Sequence, residues 1–499
     1  MDHSSAERHR RHYIVMLARS YLAYGTPSHR IETQLASAAK ALDIHADFLL
    51  IPNTIFACFY DPNERRQASM HVIKVVGRLS LAAVEDAWSI YQDVNSSRIT
   101  AEVGAERLKD IEDREEAQKK RYRCVIAFLC GFAVTPLAFD GSFADALVGG
   151  ACAAGSVLIA EYFAARNVLV EKLFEVFVAF FISFIARFLY SQWDHRFCYS
   201  AVASGGIVLI LPGFTVMCAS LELSHKKMLT GSIKLVYAIF FALILAFVQT
   251  SGSDLYLKFN SNAVAARAKM IQSITETNYL SGTLVANGTL NIANLTLGFT
   301  QALDPDRSYP EWKYKGTGCY RDPGWIWVFQ KPTLGYFFLI VPAFAFFLTL
   351  WNGMPIKFKW RNTEHVIMMI LLACGSYTAN LVGTTYLTGS IGSSLGAFVV
   401  SFLGSIYTRL RKDITPFVLM TPGILLLVPT GLTAVGGLSK NYTGEDDQFS
   451  TVLNTGFAMV ELSIGIIVGL SLASLLANLD EVWRSAVGRS KTEKVAIAF

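Results

Sequence analysis

Charge is scarce in this sequence. Asp, Glu, Lys and Arg make up 17% of 499 residues, against about a quarter in soluble domains. Eight cysteines, at 58, 124, 130, 152, 198, 218, 319 and 374, form no CxxC pair and no metal-ligand spacing, which excludes a zinc ribbon and a dithiol redox motif. His29, His45 and Asp47 are too few and too unpatterned for a metal site. Ser28 beside His29 lacks the Gly-x-Ser-x-Gly elbow of a hydrolase. MDHSSAERHRRHY has charge but no apolar core after it, so no secretory signal is expected there. A net charge of +5 calls for no nucleic acid, because the basic residues gather at the ends of apolar segments. Neither cofactor nor metal is implied.

Apolar residues dominate instead, at 53% with 12% aromatic. The charges crowd residues 1–123 and thin out afterwards, which predicts a soluble front followed by a polytopic membrane part. In the front unit, 1–122, Glu7–Tyr24 carries Ile14, Leu17, Ala18, Tyr21 and Leu22 on one helical stripe. Gly25-Thr26-Pro27-Ser28 stops that helix and starts a second over His29–Leu42. Ala46–Ile51, Thr54–Tyr60 and Ser69–Val75 read as strands, parted by Pro52-Asn53 and Asp61-Pro62-Asn63. Leu79–Tyr91 and Thr100–Gln118 read as helices that lead into the membrane. The expectation is a cytosolic α/β domain.

Ten apolar segments follow, at 124–139, 144–164, 173–190, 198–220, 229–250, 333–351, 364–386, 388–407, 413–437 and 452–478. Each is near the ~20 residues that span a bilayer. Loop charges set the orientation. Arg166, Lys172, Lys226, Lys227, Lys357, Lys359, Arg361, Arg409, Arg411 and Lys412 fall in loops on the side of the front domain; the short loops opposite hold only Arg196 and Lys440. Both termini are therefore expected in the cytosol, 481–499 being a cytosolic tail. The outer segments, 251–332 and 438–451, hold the glycosylation triplets at Asn287, Asn294 and Asn441. Cys319 lies in the first of them, and Cys198 is its one plausible disulfide partner. Trp325, Trp327 and Tyr320 suit an interfacial belt; the segment reads as an interfacial loop or a small folded cap.

Five segments (123–250), an outer segment, then five more (333–480) suggest two inverted halves. Ile207–Gly213 reads IVLILPG and Phe417–Gly423 reads FVLMTPG. Proline removes a helical hydrogen bond and glycine frees the backbone, so both segments are expected to break. At bilayer depth such breaks line protein or a cavity. Paired breaks mark a transporter's binding site, giving Pro212, Gly213, Thr215, Thr421, Pro422 and Gly423 as pathway candidates, with a packing kink as the alternative. Glu461 lies about nine residues into the last apolar segment, where an acid costs on the order of 2.5–3.5 kcal/mol. It is the candidate for proton coupling or ammonium binding, or else a protonated acid bonded to Asn380. Asn380 with Thr378, Thr384 and Thr385 forms a polar stripe, for a pathway or for inter-helix bonding. Glu161, Glu175, Arg187 and Lys234 lie near segment ends and are read as snorkelling.

YGTPSHRIE at Tyr24–Glu32, with Gly25, Arg30 and Glu32 in a G-x-x-x-x-R-x-E pattern, resembles the soluble N-terminal domain of the threonine/serine exporter family. The β-rich run, the ten segments and the Pro-Gly pairs look like that family from about Tyr13 to Asp480. The outer triplets and the large aromatic outer segment are closer to its fungal, pheromone-regulated membrane protein 10 type. The resemblance implies export of small hydroxylated amino acids across a plasma membrane or an endomembrane such as the vacuole, driven by an ion gradient, with the proton as coupling ion. The bilayer and a small amino acid are the implied partners, with a homo-oligomer left open. Two other readings stand beside it: a membrane-tethered enzyme built on the front domain, and a non-transporting protein of mating or the cell surface. Residues two apart do not face each other on a helix, so Arg30 and Glu32 must find separate partners.

Overall fold

The computed structural model describes residues 3–60, 69–75, 77–118, 122–162, 168–193, 195–260, 277–286, 290–300, 321, 324–354, 360–387, 389–411, 414–434 and 448–478. At the front, α1 (His3–Ala23), α2 (Ser28–Ala41), α3 (Leu81–Asn95) and α4 (Ala101–Gln118) accompany strands β1 (Ala46–Ile51), β2 (Thr54–Phe59) and β3 (Ser69–Lys74). The strands pair antiparallel in the order β1-β2-β3. Pro52-Asn53 is a two-residue hairpin turn, with Asn53 at φ +62°, a conformation asparagine accepts. Alternation sorts the sheet's faces: Leu50, Ile55, Ala57, Phe59 and Ile73 are buried, whereas Leu49, Met70 and Val72 point outward. Tyr13, Leu17 and Tyr21 of α1 meet Ile31 and Leu35 of α2 and Leu108 of α4 in one core.

The rest is helical. It runs α5 (Arg123–Phe139), α6 (Phe143–Tyr162), α7 (Val168–Gln192), α8 (Tyr199–Ile207), α9 (Gly213–Ser224) and α10 (Met228–Phe259), then α11 (Leu334–Trp351), α12 (Trp360–Tyr386), α13 (Gly389–Leu410), α14 (Pro416–Ala434) and α15 (Gln448–Ala477). Six of these helices hold stretches long and apolar enough to cross a membrane; α5, α9, α11 and α14 contribute shorter apolar stretches. Large apolar side chains remain outward-facing, such as Phe177, Phe181 and Phe188 on α7 and Val236, Phe240 and Phe247 on α10. That is a bilayer-facing surface. The segment 198–220, expected as one span, is two helices.

Neighbour relations recur between the two sets. The pairs α5–α6, α6–α8, α7–α8, α7–α10 and α9–α10 have counterparts in α11–α12, α12–α14, α13–α14, α13–α15 and α14–α15. Across the middle, counterparts meet: α5 with α11, α9 with α14, α10 with α15. Small residues permit the closest crossings. A Cβ at Gly205 or Gly149 would stand 2.1 or 2.5 Å from Thr135 Oγ1, and one at Gly383 would stand 2.5 Å from Gly392 Cα.

Two strands lie between α10 and α11. Strands β4 (Thr277–Ala286) and β5 (Leu290–Thr300) pair antiparallel with a bulge between Gly282 and Leu284. Asn294 lies on β5, while Asn287, Asn441 and Cys319 fall outside the described residues.

Candidate functional site

The two Pro-Gly segments behave differently. In the first, α8 ends at Ile207, whose carbonyl accepts Ile210 N–H at 2.8 Å and Leu211 N–H at 3.2 Å. Gly213 N–H then turns back to Leu211 O at 2.8 Å, and Val216 N–H to Pro212 O at 3.0 Å opens α9. Pro212 and Gly213 are buried and Thr215 is half-buried at this break. The first amides of α9 have no partner in their own helix, so the break presents a partial positive charge.

The second segment does not break, contrary to the sequence expectation. Helix α14 runs through Pro422 and again through Pro429. Two hydroxyls bond carbonyls near Pro422. Thr421, directly before Pro422, donates to Phe417 O at 2.6 Å, and Ser376 of α12 donates to Gly423 O at 3.3 Å. Leu211, directly before Pro212, has no hydroxyl to offer. Gly423 also lets α12 and α13 close in, since a Cβ there would meet Val400 Cγ2 at 2.7 Å and Ala373 Cα at 3.4 Å. The segments nevertheless come together: a Cβ at Gly213 would lie 3.6 Å from Leu425 and Val428 of α14.

The polar stripe of α12 divides. Asn380 is buried and its Nδ2 donates to Thr430 Oγ1 of α14 at 3.4 Å, with Oδ1 unpartnered. Thr378 is exposed and donates to Gly375 O of its own helix at 3.0 Å, so it faces away from the interior. Glu461 is half-buried on α15; Asn380 is engaged with Thr430 rather than with it. Arg187, read from sequence as snorkelling, is in fact buried. Its Nε donates to Ser253 Oγ at 2.7 Å and its guanidinium lies 3.8 Å from the Tyr199 ring centroid.

The family motif lies against α9 and α10. Gly25 sits at φ +81°, and a Cβ there would approach Phe214 Cζ to 2.9 Å, so glycine is required both for conformation and for space. Pro27 occupies the N-cap of α2 without a capping side chain. The cap comes from another element: Glu222 of α9, fully buried, accepts Ser28 N–H on Oε1 at 3.0 Å. The same oxygen accepts Lys234 Nζ of α10 at 2.5 Å, and Glu222 Oε2 has no partner. Glu32 pairs with Lys227 at 2.6 Å. The His29 and His225 rings stack at 4.1 Å, 8° from parallel. Arg30 turns inward instead, its guanidinium 5.5 Å from the Trp88 ring centroid. Separate partners for Arg30 and Glu32 are thus observed. A further contact reaches the second set of helices, where Glu85 of α3 stands 3.1 Å from His365 Nδ1 of α12, both buried.

Three residues that sequence reasoning missed are therefore central. Glu222 was passed over because it falls just beyond the apolar segment 198–220. Asp145 is the second. Fully buried at the start of α6, it forms a capping box with Ser142, taking Ser142 N–H and Oγ at 2.8 Å each on Oδ2. Its Oδ1 takes Cys198 N–H at 2.8 Å, and Arg321, the third, reaches Oδ2 at 2.6 Å. Ser142-x-x-Asp145 was the available signal. Cys198 is disulfide-bonded, and the six other described cysteines are free.

Fold and site together define a multi-pass helical membrane protein with a front α/β unit docked on a broken helix. Residues 12–256 match the family described as "Putative threonine/serine exporter". That similarity takes in the front unit and nearly all of the first helix set. Among curated relatives, it is 29% identical over 490 residues to an uncharacterized protein of Schizosaccharomyces pombe, covering 94% of this chain and 55% of that one. It is 27% identical over 525 residues to pheromone-regulated membrane protein 10 of Yarrowia lipolytica, covering 93% and 37%. To the protein of that name in Eremothecium gossypii it is 26% identical over 492 residues, covering 94% and 56%. The chain thus spans about half or less of these relatives' length. No solved structure matches.

Proposed function

We propose that this chain is a secondary transporter exporting small amino acids such as threonine and serine, driven by an ion gradient, and not an enzyme. In this reading ten segments cross the bilayer in two inverted halves, α8 and α9 forming one crossing. Both termini and the front unit face the cytosol, and residues 251–332 lie outside. The recurrence of the same neighbour pairs in both helix sets supports the duplication.

One observation carries the reading: the break at Pro212-Gly213 abuts α14, the counterpart helix of the other set. A half-helix start can take a carboxylate, and unwound carbonyls a cation, where two repeats meet. Glu461 is the proposed coupling acid, and Asn380 with Thr421 the proposed polar lining. The test is efflux of threonine and serine from loaded proteoliposomes under an imposed proton gradient. Wild type should export both, and Glu461→Gln should lose gradient dependence. Unchanged gradient dependence in Glu461→Gln removes that residue from the mechanism; no flux in wild type refutes the transporter reading.

A further inference from the structure

Arg30 presents a charge problem inside the front unit. Its side chain is 6% exposed, and burial pushes its guanidinium down to about 10 from its ordinary range. Among the described residues no carboxylate stands at ion-pair distance. The acids closest to it along α2 and α3 are engaged elsewhere: Glu32 by Lys227, Glu85 by His365. A buried cation without a counter-charge is costly, by several kcal/mol.

The groups around Arg30 share that incompleteness. The Tyr13 and Tyr21 hydroxyls on α1, Trp88 Nε1 on α3 and Gln34 Oε1, one turn along α2 from Arg30, are all buried atoms without partners. Tyr13, Tyr21 and Gln34 are more than nine-tenths buried. The rings close around the cation: Trp88 stacks on Tyr91 at 5.1 Å, and Arg30 lies over Trp88. Packed native interiors leave few such atoms unsatisfied, yet here Trp88 and Tyr21 lie about one unpaired charge, with Gln34 a turn along the helix and Tyr13 beyond Tyr21. Three are donors or hydroxyls suited to an anion; the fourth, Gln34 Oε1, can accept from an ammonium. Trp88 is half-exposed and marks the side open to solvent.

We propose that Arg30 is the anion-binding residue of a ligand site within α1, α2 and α3, and that the ligand is a compact carboxylate such as a free amino acid. Arg30 takes the carboxylate in its planar fork, Trp88 Nε1 and the Tyr21 hydroxyl complete the oxyanion's partners, and Gln34 receives the ammonium. Ser28 and Glu32, which hold α9 and α10, lie two residues to either side, so occupancy is felt at that junction. The site does not rest on the transport reading, since binding is measured without flux.

The experiment is equilibrium binding to the purified full chain in nanodiscs by calorimetry, with L-serine, acetate, ethanolamine and inorganic phosphate as separate probes. L-serine and acetate should bind saturably, serine more tightly, and ethanolamine should not. Arg30→Lys should weaken both carboxylates by about tenfold or more, and Trp88→Phe, which keeps the ring but loses the N–H, by a few-fold. Trp88→Phe carries the test if the Arg30 variant fails to fold. The proposal is overturned by no saturable carboxylate binding, by unchanged affinity in both Arg30→Lys and Trp88→Phe, or by phosphate binding alone.

Discussion

Glu222 of α9 accepts the Ser28 backbone N–H at 3.0 Å and so caps a helix that belongs to a different structural unit. The 12-residue α9 begins at the break and ends at this cap. Any rotation of α9 about Pro212-Gly213 must therefore move the front unit or release Ser28.

Glu222→Ala removes the cap and leaves Lys234 without its partner. The Glu222 side chain is fully buried and that of Lys234 only 21% exposed, so the loss should be about 3 kcal/mol or more, with about 1 kcal/mol of it from the cap. Hydrogen exchange should show faster exchange at the first-turn amides of α2, while those of α13 keep their protection. Unaltered protection in α2 would contradict the capping role.

The two Pro-Gly pairs should respond in opposite ways. Pro422→Ala removes a proline from a continuous helix, where proline costs about 3 kcal/mol; thermal stability should hold or rise, and flux should persist. Pro212→Ala lets α8 and α9 join, and flux should fall by tenfold or more with the fold intact by circular dichroism. Equal effects of the two changes on efflux would sink the assignment.

Protonation should loosen the junction. Burial, and then the Arg30 charge, hold the His225 imidazole below its ordinary range. Arg30, Glu222, Glu32, Lys227 and Lys234 are the other charges gathered at this junction, and His29 stacks on the ring. A histidine with a depressed folded pKa binds protons more readily when unfolded. Its stabilising effect is therefore present above about pH 6.5 and is lost as pH falls toward the folded value. Thermal midpoints measured from pH 7.5 to 5 should decline below about 6.5, and His225→Gln should flatten that decline. An identical slope in the variant would argue against the imidazole as its source.

At the opposite end of the helices, Asp145 joins α6, the start of α8 and Arg321. Asp145→Ala orphans Cys198 N–H and the buried Arg321 charge together, at about 3 kcal/mol or more. Arg321→Ala should cost less, about 1.5–3 kcal/mol, because Asp145 keeps its other donors. Thermal unfolding of both variants checks the order; a reversed order would mean that the ion pair outweighs the backbone contacts.

The sequence by itself determined the class of molecule and most of its elements. Apolar length marks a membrane helix wherever it occurs, and alternation about Pro52-Asn53 marks a hairpin, because both signals are local. Gly25, Arg30 and Glu32 were visible as a pattern, but not which helices they would meet. Only the tertiary structure decided that IVLILPG breaks while FVLMTPG stays helical. Helix α14 is packed there against α12, from which Ser376, 47 residues earlier, donates to Gly423 O. It also decided that Glu222 and Ser28, 194 residues apart, share one hydrogen bond, and that Arg30 is left among unpartnered atoms with no acid at ion-pair distance among the described residues. These are matters of long-range packing and charge balance, in which a residue's role depends on neighbours that no local window contains.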